Sequence, residues 1–355
     1  MKNALVCLLL AAAATGCHKN TTDTPPSNPV HKGWVVTTIA GDGTEGSSDG
    51  PVKLAKFHAP IDVAVAADGT VYVADYLSHR IRRITNGQVS TLAGSDSTGI
   101  VDGRGGLARF RNPYRITTDP NGNVFVLDEV DARIRKITPA GDVTVYAGVA
   151  QPGFLDGPAA NAQFLINAGG LAADKAGNIY VGDTFNGRIR AVSLAGTVTT
   201  VAGDGTVGLL NGGAKTAKFR YATSVACDAD GNLYVADAGN FYVRQITPIG
   251  LVAVMAGSGV RGYVDGVSIQ VQFDQMDDMV ADSKGNVFVI DDNRIRRVTP
   301  QGAVTTIAGA DAGYADGDGA TARFRNPGGL GIDAQDNIYV ADINNNRIRK
   351  ISFVR

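Results

Sequence analysis

The chain has 355 residues, 44% of them hydrophobic, so it is long enough to bury a large core. Its 33 Lys and Arg residues nearly balance its 34 Asp and Glu residues, which gives a formal net charge of −1. Such a balance offers no bulk positive field for nucleic acid, and nucleic-acid binding is not expected.

The first seventeen residues have the pattern of an export signal. Lys2 precedes an apolar run from Ala4 to Ala14, and the segment ends in Ala14-Thr15-Gly16-Cys17. The run is too short to span a membrane, and its end resembles a bacterial lipobox, in which the Cys carries lipid. We therefore expect residues 1–17 to be a lipoprotein signal peptide and Cys17 to be acylated, with ordinary secretion as the alternative. The resemblance implies an exported protein anchored to the lipid bilayer, at the outer membrane facing the periplasm or at the cell surface.

Residues 18–33 are rich in Thr, Pro and Asn and have no apolar periodicity, which predicts a flexible tether. Because Cys7 would leave with the signal and Cys17 would carry lipid, Cys227 is the only thiol expected in the mature chain. An internal disulfide is then impossible. Cys227 lies in an apolar run and is predicted to be a small core residue.

Residues 34–355 consist of six copies of one unit. The unit contains VTTxAG, a Gly-rich segment ending in DG, then AxF, PxGLAxDxxGNxYVAD and RIRxIT. Its AG glycines recur about every 54 residues, at Gly41, Gly94, Gly148, Gly203, Gly257 and Gly309. Each unit has four strand signals, which we call a (after AxF), b (YVAD), c (RIR) and d (VTTxAG).

Turn residues join a to b and c to d as tight hairpins, and no crossover helix separates the units. This pattern predicts an all-β, six-bladed β-propeller of four-stranded antiparallel blades. The repeats begin with a lone strand d, Val35 to Ala40, and end with strands a to c, Leu330 to Ile351. We expect the N-terminal strand to pair with the last blade and close the ring.

The segments VYVADYLSHRIRRI (71–84), NLYVADAGN (232–240) and NIYVADINNNRIRKI (337–351) resemble NHL repeats. The resemblance implies a six-bladed propeller. For function it implies either a binding scaffold or, as in related six-bladed families, a lyase, a lactonase or a strictosidine-synthase-like enzyme.

Residues that recur in every unit are predicted to serve the scaffold. The RIR arginines and strand-b aspartates are expected to tie blades together through ion pairs. Aspartates before Gly are expected to cap a short helical turn, with the AxF phenylalanines as its buried anchors. These sets are Arg82, Arg135, Arg190, Arg244, Arg296 and Arg349; Asp75, Asp128, Asp183, Asp237, Asp291 and Asp342; Asp49, Asp102, Asp156, Asp265 and Asp316; and Phe57, Phe110, Phe164, Phe219, Phe273 and Phe324.

A site for one asymmetric ligand must break the sixfold pattern, and the start of strand a does so. Both long connections, d to a and b to c, should lie on the same face of the propeller. Strand a begins at this face, so its first residues should line the mouth of the central channel. The equivalent pairs there are Ile61-Asp62, Tyr114-Arg115, Gly169-Gly170, Thr223-Ser224, Asp277-Asp278 and Gly328-Gly329. The candidate ligand-binding residues are Asp62, His79, Tyr114, Arg115, Arg220, Asp277 and Asp278.

Three interpretations of this mouth remain open. Its opposite charges could neutralise one another around a water-filled channel. They could instead recognise a polar ligand such as a sugar or a peptide. Resemblance to lactonase-like propellers suggests a third interpretation, in which Asp62, Asp277 and Asp278 hold a divalent cation, Ca²⁺ or Mg²⁺.

The sequence assigns no catalytic residue. Only His58 and His79 lie in the repeat region, too few for a zinc site built on several histidines, and neither HExxH nor GxSxG occurs. We therefore expect a monomeric, lipid-anchored binding module for a protein, peptide or carbohydrate ligand. The alternative is a metal-dependent hydrolase or lactonase-like enzyme, with Asp277 or Asp278 as ligand or base and Arg115 stabilising negative charge.

Overall fold

The computed structural model describes residues 33–129, 132–165 and 169–355. The predicted signal peptide, its Cys17 and the tether up to residue 32 lie outside the described residues. Within the described ranges the chain forms six antiparallel sheets, which confirms the all-β six-bladed propeller. No helix in these ranges is long and apolar enough to cross a membrane.

Each sheet is one blade, and the described residues form thirty strands. Blade 1 contains β2 (Gly50–Pro51), β3 (Pro60–Val65), β4 (Val71–Asp75), β5 (Arg80–Thr85) and β6 (Gln88–Gly94). Blade 2 contains β7 (Gly103–Arg104), β8 (Pro113–Thr118), β9 (Val124–Asp128), β10 (Arg133–Ile137) and β11 (Asp142–Ala147). Blade 3 contains β12 (Gly157–Pro158), β13 (Leu171–Ala173), β14 (Ile179–Asp183), β15 (Arg188–Val192) and β16 (Thr197–Ala202).

The other three blades repeat this arrangement. Blade 4 contains β17 (Gly212–Gly213), β18 (Ala222–Cys227), β19 (Leu233–Asp237), β20 (Tyr242–Ile246) and β21 (Leu251–Ala256). Blade 5 contains β22 (Gly266–Val267), β23 (Met276–Ala281), β24 (Val287–Asp291), β25 (Arg294–Val298) and β26 (Ala303–Gly309). Blade 6 contains β27 (Gly317–Asp318), β28 (Pro327–Ile332), β29 (Ile338–Asp342), β30 (Arg347–Val354) and, from the N-terminal side, β1 (Gly33–Ala40).

Short 3₁₀ helices lie in the connections. They span Tyr76–Ser78, Gly105–Leu107, Thr184–Asn186, Ala238–Asn240, Ser268–Gln270 and Ile343–Asn345. The helix after strand b lies against the start of strand a, since the Leu77 and Tyr76 amides donate to the carbonyls of His58 and Ala59. The b-to-c connections therefore flank the inner strand where it enters the blade, as the strand count predicts.

The two ends of the propeller meet in blade 6. The strand order there is β27-β1-β30-β29-β28, with Gly33 opposite Val354 and Val36 opposite Ile351. This pairing confirms the predicted terminal closure and leaves neither β1 nor β30 as a free edge strand.

Every blade has a fifth, two-residue outer strand that the sequence pattern does not predict. In blade 1, Gly50 and Pro51 pair with Val89 and Gln88. A two-residue strand shows no periodicity, so only the pairing itself reveals it. The strand carries the d-to-a connection along the outer edge of the blade.

The aspartates before these outer strands do not cap helices, contrary to expectation. Asp49 accepts a 2.6 Å hydrogen bond from Nη2 of Arg82 and a 3.0 Å bond from the Thr91 amide. The two short helices that follow outer strands begin after Arg104 and Val267, neither of which makes a side-chain capping bond. The carboxylate therefore fastens the connection to strands c and d of its own blade.

A buried arginine organises each repeat, as Arg190 shows. Its guanidinium is fully buried, donates to Asp183 at 2.7 Å and to Asp156 at 2.6 Å, and lies 5.1 Å from the ring of Phe164. These ion pairs lie within one blade and its incoming connection rather than between neighbouring sheets. Apolar side chains pack between blades near this arginine, because the buried Phe164 lies in a cluster shared by blades 2 and 3.

Replacing Asp237 with Ala should destabilise the propeller by about 3–5 kcal/mol, because it leaves Arg244 buried without its carboxylate. Asp237 and Arg244 are both fully buried and bonded at 2.7 Å. Urea unfolding monitored by circular dichroism measures the effect, with Asp230→Ala in the exposed a-to-b hairpin of the same blade as the control. Equal unfolding midpoints for the two variants would contradict the scaffold role.

Candidate functional site

Six equivalent residues at the start of the inner strands form one layer across the channel, which we call the ring layer. Its members are Asp62, Arg115, Gly170, Ser224, Asp278 and Gly329. A Cβ on Gly329 would collide with the Asp62 carboxylate, and one on Gly170 would lie 2.6 Å from Cα of Ser224. The glycines of blades 3 and 6 therefore make room for the larger side chains of their neighbours.

Arg115 closes the channel at this layer. From blade 2 it reaches across to blade 6, where Nη1 donates to the Gly328 carbonyl at 2.7 Å, and to blade 5, where Nη2 donates to the Asp277 carbonyl at 2.8 Å. Its guanidinium lies 4.7 Å from the ring centre of Tyr114, and the residue is only 2% exposed. The side chain thus ties three blades together over the channel.

Two buried carboxylates accompany this arginine, and both already have donors. Asp62 accepts from the amides of Val63 and Ile116, each at 2.7 Å. Asp278 accepts from the Ser224 hydroxyl at 2.7 Å and from the Leu330 amide at 2.8 Å. Both aspartates therefore join neighbouring blades.

The charges of the ring layer act on one another. Burial raises the pKa of Asp62, the nearby Asp278 raises it further, and Arg115 opposes both effects. Burial alone would lower the pKa of Arg115, but Asp278, Tyr114 and Asp62 outweigh burial and raise it. The guanidinium therefore stays charged, and the arrangement fits mutual neutralisation of opposite charges.

Below the ring layer lies a cavity of about 180 Å³ in the channel. Its walls come from all six inner strands, which contribute aliphatic residues such as Ala172, Val225 and Leu330 and polar ones such as Thr117 and Thr118. Cys227 also lines it, and its thiol contacts the Ala173 carbonyl at 3.0 Å. Burial raises the pKa of this thiol to about 12, so it stays protonated, which agrees with an unreactive role.

Outside the ring layer lies a band of aromatic and charged side chains that we call the mouth rim. Its members are Tyr76, Tyr114, Glu129, Phe185, Arg220, Tyr221 and Asp277. The Tyr76 hydroxyl donates to Glu129 at 3.2 Å and accepts from the side-chain Nδ2 of Asn112 at 2.9 Å. Burial and Glu129 raise the pKa of Tyr76 to about 12, so the phenol remains a donor.

A second part of the mouth rim is open to solvent. Phe185 and Tyr221 are 48% and 46% exposed, and their rings stand edge to face with centroids 6.1 Å apart. The neighbouring Arg220 is also exposed. These side chains are available to a ligand, in contrast with the buried ring layer.

The structure brings together five of the seven candidate residues, namely Asp62, Tyr114, Arg115, Asp277 and Asp278. Arg220 lies on the mouth rim, and in the described part of the chain no recorded contact joins it to that group. His79 follows the 3₁₀ helix of blade 1 in a left-handed conformation and is half-buried. Ser224 was missed as a site residue, although its place in the repeat marks it as a departure from the pattern.

In the described ranges, no group of three or more His, Cys, Asp or Glu side chains is arranged to hold a metal ion. A cation on Asp62 and Asp278 would compete with the amide and hydroxyl donors already bound to them. The divalent-cation hypothesis for Asp62, Asp277 and Asp278 stays a prediction.

Known proteins with similar sequences or structures share this fold. Residues 57–84 and 324–351 match the NHL repeat family. Teneurin-3 of Mus musculus is 28% identical over 90% of the chain, but the alignment spans only 13% of that much longer relative. An auxiliary nutrient binding protein from Bacteroides thetaiotaomicron superposes with a TM-score of 0.67 at 19% identity, covering 91% of this chain and 77% of that one. A protein of the same description from Bacteroides ovatus has a TM-score of 0.66 at 18% identity, with 91% and 77% covered. The chain is therefore a six-bladed propeller, two segments of which match the NHL repeat.

Asp277 should make folding pH-dependent. Burial raises its pKa to about 6, with Arg115 opposing the shift. Since the folded-state pKa exceeds the usual value of 3.8, the protonated form favours folding below about pH 4, and this contribution is lost as pH rises through 6. From pH 4 to pH 7 the wild type should lose stability relative to Asp277→Asn by on the order of 2 kcal/mol.

Urea midpoints at pH 4, 5, 6 and 7 measure this difference. Asp230→Asn, in an exposed hairpin, is the matched control and should follow the wild type at every pH. A constant difference between Asp277→Asn and the wild type across this range would show that Asp277 does not titrate there.

Proposed function

We propose that this protein is a ligand-binding module that recognises a peptide or a carbohydrate through its mouth rim. The exposed Phe185–Tyr221 pair beside Arg220 carries this proposal, because it lies outside a buried ring layer whose carboxylates already have hydrogen-bond donors. Aromatic faces stack on sugar rings and on apolar peptide side chains, while an exposed guanidinium binds carboxylates.

The ring layer favours binding over catalysis. The hydroxyl of Ser224 donates to Asp278 and also accepts from the Met279 amide at 3.1 Å. A nucleophile needs a partner that can take its proton and an open path to the substrate. The 0% exposure of Ser224 leaves it no such path. The similar folds of proteins described as nutrient binding further support a binding role.

Export and lipidation complete the proposal. Acylated Cys17 would hold a monomeric propeller on the outer membrane, facing the periplasm or the cell surface, with residues 18–33 as its tether. In an export-competent bacterium, Cys17→Ser should move the protein from the membrane pellet to the soluble fraction. Recovery of this variant in the pellet would contradict lipid anchoring.

Ligand recognition can be tested on carbohydrate and peptide arrays, followed by titration calorimetry with the best probe. The double variant Phe185→Ser/Tyr221→Ser should weaken binding at least about tenfold, since buried aromatic anchors dominate binding energy. Ile249→Ser is the control, because Ile249 is 90% exposed in the c-to-d turn of blade 4. Unchanged affinity of the double variant, or an equal loss in the control, would contradict the mouth-rim proposal.

A metal-dependent hydrolase or lactonase is the second candidate, favoured by one observation. The pKa of Asp277, raised to about 6, suits a general base near neutral pH. A thermal shift with Ca²⁺ or Mg²⁺ that chelator reverses and Asp278→Ala abolishes would support this candidate. A melting temperature insensitive to metal and chelator would contradict it.

A further inference from the structure

A second cavity, remote from the mouth rim, lies where the first and last strands of the propeller, β1 and β30, pair. It has a volume of about 340 Å³ and lies between the a-to-b hairpins of blades 5 and 6 and the paired strands β1 and β30. We call it the seam pocket, and the residues of interest in it are Trp34, Asn286, Phe288, Arg297, Gln335 and Phe353. Its volume is at the small end of the range of about 300–1,000 Å³ typical of small-molecule sites.

Three aromatic rings form one wall of the seam pocket. Trp34 stands edge to face with Phe353, with centroids 5.1 Å apart, and with Phe288, at 5.8 Å. Trp34 and Phe353 are directly opposed in the β1–β30 ladder. The wall therefore exists only when the ring is closed, and Phe353 remains 57% exposed within it.

Arg297 supplies a positive charge that forms no ion pair with the described residues. Its Nε is also buried without a hydrogen-bond partner among them. At the equivalent position of blade 6, Lys350 donates to Asp333 at 3.3 Å and to the Tyr339 hydroxyl at 3.0 Å. Blade 5 has Phe288 where blade 6 has Tyr339, so the hydroxyl partner is missing there.

The acids of the seam pocket are already engaged elsewhere. Asp282 accepts from the amides of Lys284 and Asn286 and from the Asn286 side chain. Asp336 accepts from Ser283 and, at 3.3 Å, from Nζ of Lys284. The bonds of Asp282 stay within the blade 5 hairpin, and those of Asp336 join the two hairpins. Neither set involves Arg297, whose guanidinium is left available to a ligand carboxylate.

We propose that the seam pocket binds an acidic carbohydrate, one sugar ring of which bears a carboxylate. The ring would stack on the Trp34–Phe353 wall, the carboxylate would take the donors of Arg297, and the side-chain amides of Asn286 and Gln335 would serve the hydroxyl groups. A uronic acid has features that match each of these groups. Its apolar ring face suits the aromatic wall, its carboxylate suits the unpaired guanidinium, and its hydroxyl groups suit the amides.

Titration calorimetry of the full-length protein with an oligosaccharide of glucuronic acid tests this proposal, with the matching glucose oligosaccharide as the neutral probe. The acidic probe should bind, and the neutral one should bind at least about tenfold more weakly, since charge-assisted hydrogen bonds to the carboxylate are lost. Arg297→Gln should weaken binding of the acidic probe by a similar factor and leave the affinity for the neutral probe unchanged.

Arg83→Gln is the matched control, because Arg83 occupies the same strand position in blade 1 and also has a buried, unpartnered Nε. It should bind the acidic probe as the wild type does. Phe353→Ser removes the exposed ring of the aromatic wall and should weaken binding of both probes.

Three outcomes would overturn the proposal. These are no binding of the acidic probe at millimolar concentration, equal losses in Arg297→Gln and Arg83→Gln, or full competition by inorganic phosphate, which would indicate a general anion site. The mouth-rim variant Phe185→Ser/Tyr221→Ser should leave binding of the acidic probe intact, so this proposal and the proposed function can fail separately.

Discussion

The buried arginine of strand c is the constraint on which each repeat depends. Removing a guanidinium from water costs several kcal/mol, so every copy must meet carboxylates and carbonyl oxygens. In blade 6, Arg349 donates to Asp342 on strand b and to Asp316 and the Ala315 carbonyl on the incoming connection. One side chain therefore sets where two strands and a long loop lie. Six copies produce a rigid ring whose variable residues are carried on fixed supports.

Closure of that ring brings the six inner strands together around one channel. Because six strands converge on one axis, a single layer can mix glycine, serine, aspartate and arginine, and the small residues leave space for the large ones. Arg115 uses this space to reach blades 5 and 6, while Asp62 and Asp278 each join adjacent blades. The carboxylates of Asp62 and Asp278 and the hydroxyl of Ser224 already have hydrogen-bond partners within the propeller. Under the two proposals, recognition falls to side chains outside this layer, in the mouth rim and in the seam pocket.

Much of this architecture could be predicted from sequence, because a period of about 54 residues requires equivalent blades and a lone strand d requires a partner at the far end. Other features could not. Asp49 before Gly has the pattern of a helix cap, and only its position beside Arg82 shows a different role. The bond from Arg115 to Gly328 joins residues 213 positions apart, which repeat spacing alone does not predict. The seam pocket cannot be predicted from the sequence, because Trp34 and Phe353 are far apart along the chain and meet only through the β1–β30 pairing.

Regular positions and the ring layer build the propeller, whereas we propose that exposed exceptions on the mouth rim bind the ligand. A crystal structure of the full-length protein with an array-identified peptide or oligosaccharide tests this claim most directly. Ligand density should lie over Phe185, Tyr221 and Arg220, with the contacts of Asp62, Arg115 and Asp278 unchanged. Density inside the channel that displaces Arg115, or a metal ion bound by Asp62 and Asp278, would contradict the account.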